Sequence, residues 1–431
     1  MEKKILEGIS VLPSPPRTQS DFIAPVVNLD DGLCLSDSVF EAPTLLLGPV
    51  GSGKSFLLQR IMEPILASAE KENENVIVFC AKKELLKYRR PGDPVIAVDA
   101  TQPNACWNIY EELRASENPE LTARDIMKDL TGDKRSQVQP FFENSCNDVM
   151  FNVCYQMFLE SKKRGVRYTN WHLYDFFNNV SLNPDSDFSW QKVANIYPGL
   201  KSMVNQYFYS DSQEAQSIMS EVRTLMHDCF WGSFCSAQGS FSAIDALKSG
   251  GKRIFLYFDY ANASEASIKI FKTILNLLFK HSVDEKNGKR TWFFLDEFSL
   301  LPKNCICDAM SLGRGAGFRL FACLQSAQLM TRHYSEDEAK SLLSLFPNII
   351  CLKVQDALSR SLLADRYGES LFSYYYMSPM QKIEPYTVHR KVVEDADFST
   401  LFRKGDALMS IPNLSSAPFY YHGYRKDKDR R

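Results

Sequence analysis

Short, wholly apolar runs alternate with helically spaced stretches in the first hundred residues, and again beyond about residue 250. Thr44-Leu45-Leu46-Leu47 is one such run, the pattern of a parallel strand buried on both faces. A glycine-rich loop follows it, and the spacing then predicts a helix over 56–69. Val76-Ile77-Val78-Phe79-Cys80 and Val95-Ile96-Ala97-Val98 read as further buried strands. The order strand, loop, helix, strand is that of an α/β sheet with helical crossovers. It returns in apolar runs over 253–258, 291–295, 320–324 and 349–352, with a helix predicted over 266–279.

Between these halves the texture changes. β-branched runs disappear from 121 to 248, and helical spacing takes over, as in Val149-Met150-Val153-Cys154-Met157-Phe158. Pro140, Pro184 and Pro198 punctuate the segment. The pattern divides the chain into an arm over 1–40, a core domain over 41–120 and 249–425, an all-α insertion over 121–248, and a charged tail over 426–431. Pro13, Pro15, Pro16 and Pro25 make the arm extended rather than helical.

Composition narrows the class. The chain has 431 residues, more than one ordinary domain, and its 45% hydrophobic and 24% charged residues are globular values. Fifty basic against 52 acidic side chains give a net charge of −2, so no strongly basic surface advertises nucleic acid. A channel that confines its basic groups is still compatible with that balance. Eleven scattered cysteines, many inside apolar runs, predict reduced, buried thiols rather than a disulfide framework. Cys305-Ile306-Cys307 has no neighbouring His or Cys pair to complete a zinc site, and packing is the simpler reading. Met1-Glu2-Lys3-Lys4-Ile5 leads into no apolar stretch, and no 18 consecutive apolar residues occur. These features predict a cytoplasmic protein without signal peptide or membrane span.

Gly48-Pro49-Val50-Gly51-Ser52-Gly53-Lys54-Ser55 fits G-x-x-x-x-G-K-[ST], with a predicted strand before it and a helix after it. Gly48, Gly51 and Gly53 let the backbone curl so that its N–H groups face phosphates. In that pattern Lys54 reaches the β- and γ-phosphates of ATP, Ser55 ligates Mg²⁺, and the helix dipole favours the anion. Phe293-Phe294-Leu295-Asp296-Glu297 is an apolar strand ending in two carboxylates. Alone it suits a helix cap equally well. Beside the glycine loop it reads as a catalytic pair, Asp296 holding Mg²⁺ and Glu297 orienting or deprotonating the attacking water. Gln325 ends the 320–324 run, where an amide can sense the γ-phosphate. Arg314, in Gly313-Arg314-Gly315-Ala316-Gly317, is either a solvated loop cation or a finger into a neighbouring subunit.

Leu295-Asp296-Glu297-Phe298, the Gly313–Gly317 turn and Leu324-Gln325-Ser326-Ala327-Gln328-Leu329 together resemble the signature of type IV secretion coupling proteins, the hexameric DNA-pumping ATPases of conjugation. Lys82-Lys83-Glu84-Leu85, Cys106-Trp107-Asn108-Ile109, Gly239-Ser240-Phe241-Ser242 and Asp365-Arg366-Tyr367-Gly368 are similar to further family landmarks. The resemblance spans about residues 40 to 425. It implies a RecA-like P-loop NTPase with a mostly parallel sheet and an inserted all-α domain. It also implies Lys54 and Ser55 as nucleotide and magnesium ligands, Asp296 and Glu297 as catalytic acids, Arg314 as a finger acting in trans, and Gln325 as sensor. Three features depart from the family: Cys80-Ala81 replaces its usual Asp element, Ile109-Tyr110 replaces a proline turn, and the N-terminal membrane helices are absent.

The implied partners are single- or double-stranded DNA, a relaxase or relaxosome protein, five further copies in a homohexamer, and a separate membrane-anchored secretion subunit holding the protein at the inner face of the membrane. Arg89-Arg90 and Arg366 are candidate DNA contacts, although nothing in their spacing separates them from solvated surface charges. Phe141-Phe142 and Trp190 read as helix core before stacking platforms. Two other functions fit the same motifs: a docking protein that uses nucleotide as an assembly switch, and a soluble motor of DNA processing or defence.

Overall fold

The computed structural model describes residues 3–16, 24–98, 105–132, 140–259, 264, 266–284, 289–377, 383–394, 397–398 and 403–423. The chain divides into two compact units, residues 1–79 with 282–431 and residues 80–281.

The first unit is built on parallel strands. Asn348–Cys351, Thr44–Leu47, Phe318–Leu324, Thr291–Leu295 and Asn75–Cys80 follow one another in that order, each parallel to the next. Every residue of these five strands is buried, which is why they appear in the sequence as largely apolar runs, with Thr44, Asn75, Thr291, Arg319 and Asn348, all in the first two positions of their strands, as the buried polar exceptions. The helix Lys54–Lys71 buries Leu57, Leu58, Ile61, Met62, Ile65, Leu66 and Ala69, a stripe at helical period. Two antiparallel strands extend the edge beyond Asn348–Cys351: Ala407–Ser410 and then Phe419–Tyr421. The apolar pattern does not announce them, because each is short and lies among Gly405, Pro412 and Pro418.

A second sheet in this unit pairs Lys3–Glu7 with Glu369–Met377, and that strand with Ile383–Lys391, all antiparallel. Within the arm Lys3–Glu7 is extended and paired, whereas Asp37–Phe40 near its end is a short α-helix. Leu12 N–H donates to the Pro418 carbonyl at 2.8 Å, and Tyr420 N–H donates to the Leu12 carbonyl at 3.0 Å. The charged tail lies outside the described residues.

The second unit holds a parallel pair, Val95–Ala97 beside Arg253–Tyr257, and is otherwise helical. Helices run from Ile109–Ala115 through Pro140–Arg164 and Gln213–Cys229 to Ala243–Ser249. Polar side chains fasten the two ends of this helical stretch. Asn170 Nδ2 donates to the Trp107 and Phe234 carbonyls at 2.9 and 3.1 Å, while its Oδ1 accepts from Ile109 N–H at 2.9 Å. Glu112 is fully buried. Its Oε1 accepts from Trp107 Nε1 at 2.7 Å and Ala243 N–H at 2.6 Å; its Oε2 accepts from Ser242 Oγ at 2.7 Å and Ile244 N–H at 3.0 Å. Burial pushes this carboxyl above the usual range, and the four donors pull against that.

All eleven cysteines are free, and burial pushes the Cys146, Cys154 and Cys229 thiols up to about 12. They pack as small apolar groups. Among the described residues no helix is long and apolar enough to cross a membrane.

Because both Glu112 oxygens accept from two donors, an amide there sets an NH₂ group against two N–H or O–H groups. Glu112→Gln is expected to lower stability by about 2 to 3 kcal/mol, measured by denaturant unfolding.

Candidate functional site

The glycine loop leaves the carboxyl end of the Thr44–Leu47 strand and is tied to both neighbouring strands. Gly48 N–H donates to the Leu324 carbonyl at 3.0 Å, and Leu352 N–H donates to the Leu47 carbonyl at 2.8 Å. A side chain at Gly48 would meet Ser52 Oγ at 2.6 Å and Leu352 at 2.9 Å. Gly51 and Gly53 have φ of +82° and +105°, a region where other residues are strained. Ser52 Oγ donates to the Pro49 carbonyl at 2.8 Å, which closes the curl. The crest at Val50 is 81% exposed. The helix then starts at Lys54, so its first free N–H groups and its dipole face the concave side of the loop. Ser55 occupies the next position of that first turn, half-buried.

Two strands away in the sheet, Thr291–Leu295 ends in Asp296 and Glu297 at the same edge. Asp296 N–H extends the pairing by donating to the Phe79 carbonyl at 2.9 Å. Both carboxylate residues are buried, as is Lys54. Lys54 Nζ lies 3.4 Å from Glu297 Oε2, and Ser299 Oγ donates to Glu297 Oε1 at 2.6 Å. Sequence reasoning missed Ser299; a serine two residues past an acidic pair carries no distinguishing signal. Beneath them the Cys323 thiol is fully buried; burial drives it well above its usual range, and the Lys54 charge lowers it only in part. It stays protonated and packs the floor.

Gln325 follows the Phe318–Leu324 strand, which lies between the Thr44–Leu47 and Thr291–Leu295 strands. The Gly48 bond to Leu324 fixes it directly beside the glycine loop, half-buried. The structure thus brings Lys54, Asp296, Glu297 and Gln325 to one edge.

Arg314 goes to the other. The turn Gly313–Gly317 precedes Phe318–Leu324, so it sits at the amino edge, roughly 20 Å away along the strand at about 3.3 Å per residue. Its side chain is 70% exposed and pairs loosely with Glu41 at 3.7 Å. The turn is rigid beneath it. Gly317 has φ +83°, and a side chain there would lie 3.1 Å from the Arg290 Cα. Thr291 N–H donates to the Gly317 carbonyl at 3.0 Å. Arg290 in turn pairs with Asp37 at 3.3 Å and Glu74 at 3.1 Å, and Arg319 pairs with Asp37 at 3.4 Å. Glu41, Glu74, Arg290, Arg314, Gly317 and Arg319 are among the groups that line a cleft of about 920 Å³.

The candidate DNA contacts fare unevenly. Arg366 donates to the Phe346 and Pro347 carbonyls, both at 2.8 Å, and is a structural brace. Arg90 pairs with Asp93 at 3.1 Å and donates to the Gly251 carbonyl at 3.0 Å. Arg89 is exposed. Trp190 is wholly buried and stacks on Phe208 at 4.5 Å, a core position, whereas Phe141 is half exposed on its helix.

The sequence model of the family described as the type IV secretion-system coupling protein DNA-binding domain matches residues 31–373. No curated protein matches the chain by sequence. Among solved structures, the plasmid coupling protein TrwB in complex with the non-hydrolysable ATP analogue ADPNP has a TM-score of 0.73 at 16% identity, covering 98% of this chain and 95% of that one. TrwB in complex with ADP and Mg²⁺ has a TM-score of 0.72 at 16% identity, covering 98% and 96%. VirB4 of Thermoanaerobacter pseudethanolicus has a TM-score of 0.53 at 13% identity, covering 98% and 100%. These likenesses establish the fold, a mostly parallel sheet flanked by helices.

The Ser299 hydroxyl holds one oxygen of Glu297 and touches no other candidate site group among its hydrogen bonds. Ser299→Ala is expected to lower nucleotide turnover about fivefold, the value of one lost hydrogen bond. Nucleotide affinity, measured by calorimetry, should stay within twofold.

Proposed function

Because the chain belongs to the type IV secretion-system coupling protein family, we propose that it is an ATP-driven DNA translocase that works as a hexameric ring and moves DNA or a relaxase–DNA complex. The observation that carries the reading is the meeting of Lys54 and Glu297, 243 positions apart in sequence and 3.4 Å apart in space. A buried ammonium on a glycine loop beside a buried carboxylate is the arrangement that binds a nucleoside triphosphate and activates water against it.

In this reading the loop Gly48–Gly53 cradles the phosphates with the amides of Val50, Gly51 and Gly53, while Gly48 N–H is held by the Leu324 carbonyl and Ser52 N–H by the Pro49 carbonyl, and Lys54 draws the β- and γ-oxygens to itself. A phosphate at that position competes with Glu297 for Lys54, and so frees the carboxylate to orient or deprotonate water. Gln325 contacts the γ-phosphate and reports its loss to the sheet. The Ser55 hydroxyl and the Asp296 carboxylate are an oxygen-only pair beside a phosphate cradle, a set that suits a hard divalent cation such as Mg²⁺. When bound, Mg²⁺ neutralises charge on the phosphate oxygens. Arg314 stands at the amino edge with its guanidinium exposed, out of reach of its own chain's Lys54, and so serves the site of the next subunit.

The nucleotide-binding core comprises 41–120 and 249–425, with the arm over 1–40. The helical insertion over 121–248 is the surface for a relaxase-like protein. The protein acts in the cytoplasm, at the inner face of the membrane where a separate anchored subunit holds it.

The deciding measurement is the ATPase rate with and without single- and double-stranded DNA. The translocase reading expects strong stimulation by DNA; a rate that stays flat with DNA and rises with purified partner protein would replace it with the docking-protein reading. Lys54→Ala is expected to abolish nucleotide binding. Glu297→Gln should keep binding and lose about 10² to 10⁴ in turnover. For Arg314→Ala a loss of about 10³ or more is expected in a protein that still assembles. Wild-type activity should rise steeply with protein concentration, because a lone subunit lacks the finger.

A further inference from the structure

The groups assigned so far lie on one side of the glycine loop, toward Glu297 and Gln325. On the other side lies a turn that has no role in that scheme. Residues Arg403–Asp406 lead into Ala407–Ser410, and the antiparallel register of that strand with Asn348–Cys351 (Leu408 opposite Cys351) sets the turn at the nucleotide edge of the sheet. Gly405 N–H donates to the Ser52 carbonyl at 3.0 Å. A side chain at Gly53 would lie 3.3 Å from the Gly405 Cα, so the two backbones are in contact. Gly405 has φ +89°, and on its far face a side chain at Gly423 would come within 2.3 Å of its carbonyl oxygen. Asp406 locks the turn: its N–H donates to the Arg403 carbonyl at 3.1 Å, and its Oδ1 accepts from Gly423 N–H at 3.2 Å.

On this clamped backbone Arg403 and Lys404 are exposed, and neither side chain pairs with another described residue. Lys353, one residue beyond the Leu352 that bonds to Leu47, is exposed at the same edge, and its side chain has no partner among the described residues. The neighbouring carboxylates are engaged elsewhere. Asp406 faces His422 at 3.5 Å, and Asp356 caps a helix by accepting from Ser359 N–H at 2.9 Å. Solvated surface cations need no left-handed glycine pressed onto a phosphate loop. Cations that must meet a polyanion at a fixed place do, because a pre-set backbone lowers the entropy lost on binding.

We propose that Arg403 and Lys404 hold the ribose and α-phosphate end of the bound nucleoside triphosphate, closing the site on the side opposite Glu297. This rests on the nucleotide-site reading above and adds to it a second wall. The loop amides and Lys54 take the β- and γ-phosphates; the Arg403–Gly405 turn adjoins Ser52 and Gly53, where the loop enters its helix. Since the α-phosphate is common to ATP and ADP, the contact strengthens both alike.

The test is calorimetric titration of the full chain with a non-hydrolysable ATP analogue and with ADP, for wild type, Arg403→Ala, Lys404→Ala and the doubly substituted Arg403→Gln, Lys404→Gln. Loss of a charge-assisted contact is expected to raise Kd about tenfold, by the same factor for both nucleotides. Circular dichroism melts on each variant check the fold; both side chains are exposed, so melting should be unchanged. Unaltered nucleotide affinity in the doubly substituted protein overturns the proposal. A loss of DNA affinity in its place overturns it too and assigns the turn to DNA. A loss confined to the ATP analogue would also overturn it, because it would place the cations at the γ-phosphate. If wild type binds neither nucleotide, the site reading itself fails, an outcome distinct from all of these.

Discussion

The common direction of three adjacent strands, Thr44–Leu47, Phe318–Leu324 and Thr291–Leu295, is the constraint on which the rest of the first unit depends. Because they are parallel, whatever follows each strand emerges at one edge. The glycine loop, Gln325 and the Asp296–Glu297 pair therefore converge without any local sequence relation between them. The same constraint sends whatever precedes a strand to the opposite edge. That is where Gly313–Gly317 carries Arg314, and the length of the strand puts it out of reach of Lys54. Under the proposed reading, a chain with its cradle on one edge and its finger on the other completes its site head to tail with a second copy. Repetition of such a contact closes a ring when the rotation per copy allows it.

What the sequence reveals follows from burial. A strand covered on both faces cannot alternate, so the five parallel strands stand out as apolar runs, and the glycine loop stands out because only glycine takes its backbone angles. Ser299 and Gly405 leave no such trace. A serine and a glycine become meaningful only when the fold sets one against Glu297 and the other against Ser52. The antiparallel edge strand Ala407–Ser410 is wholly buried yet only four residues long, below the length at which a period can be read. Arg366 is the converse case. Its sequence position suggested a surface cation, and the structure spends it on the Phe346 and Pro347 carbonyls, because unpaired carbonyls at a chain turn need donors.

Two buried carboxylates separate structural from chemical use of the same side chain. Glu112 accepts four hydrogen bonds, two on each oxygen, and a carboxylate offers about four lone-pair sites. Its capacity is consumed, and its work is to join Trp107 to the start of Ala243–Ser249. Among the described residues Glu297 accepts one bond from Ser299 and one contact from Lys54, which takes up half its capacity. Leaving a buried acceptor partly satisfied costs stability, and folds retain that cost where an arriving ligand or water will meet it. The Lys54 contact is also the weaker of the two at 3.4 Å, and it is the one a phosphate would draw away. In the proposed mechanism Ser299 holds one oxygen in place while the other turns to water. Burial alone therefore does not single out Glu297, the proposed catalytic acid, from Glu112; the count of donors around each oxygen does.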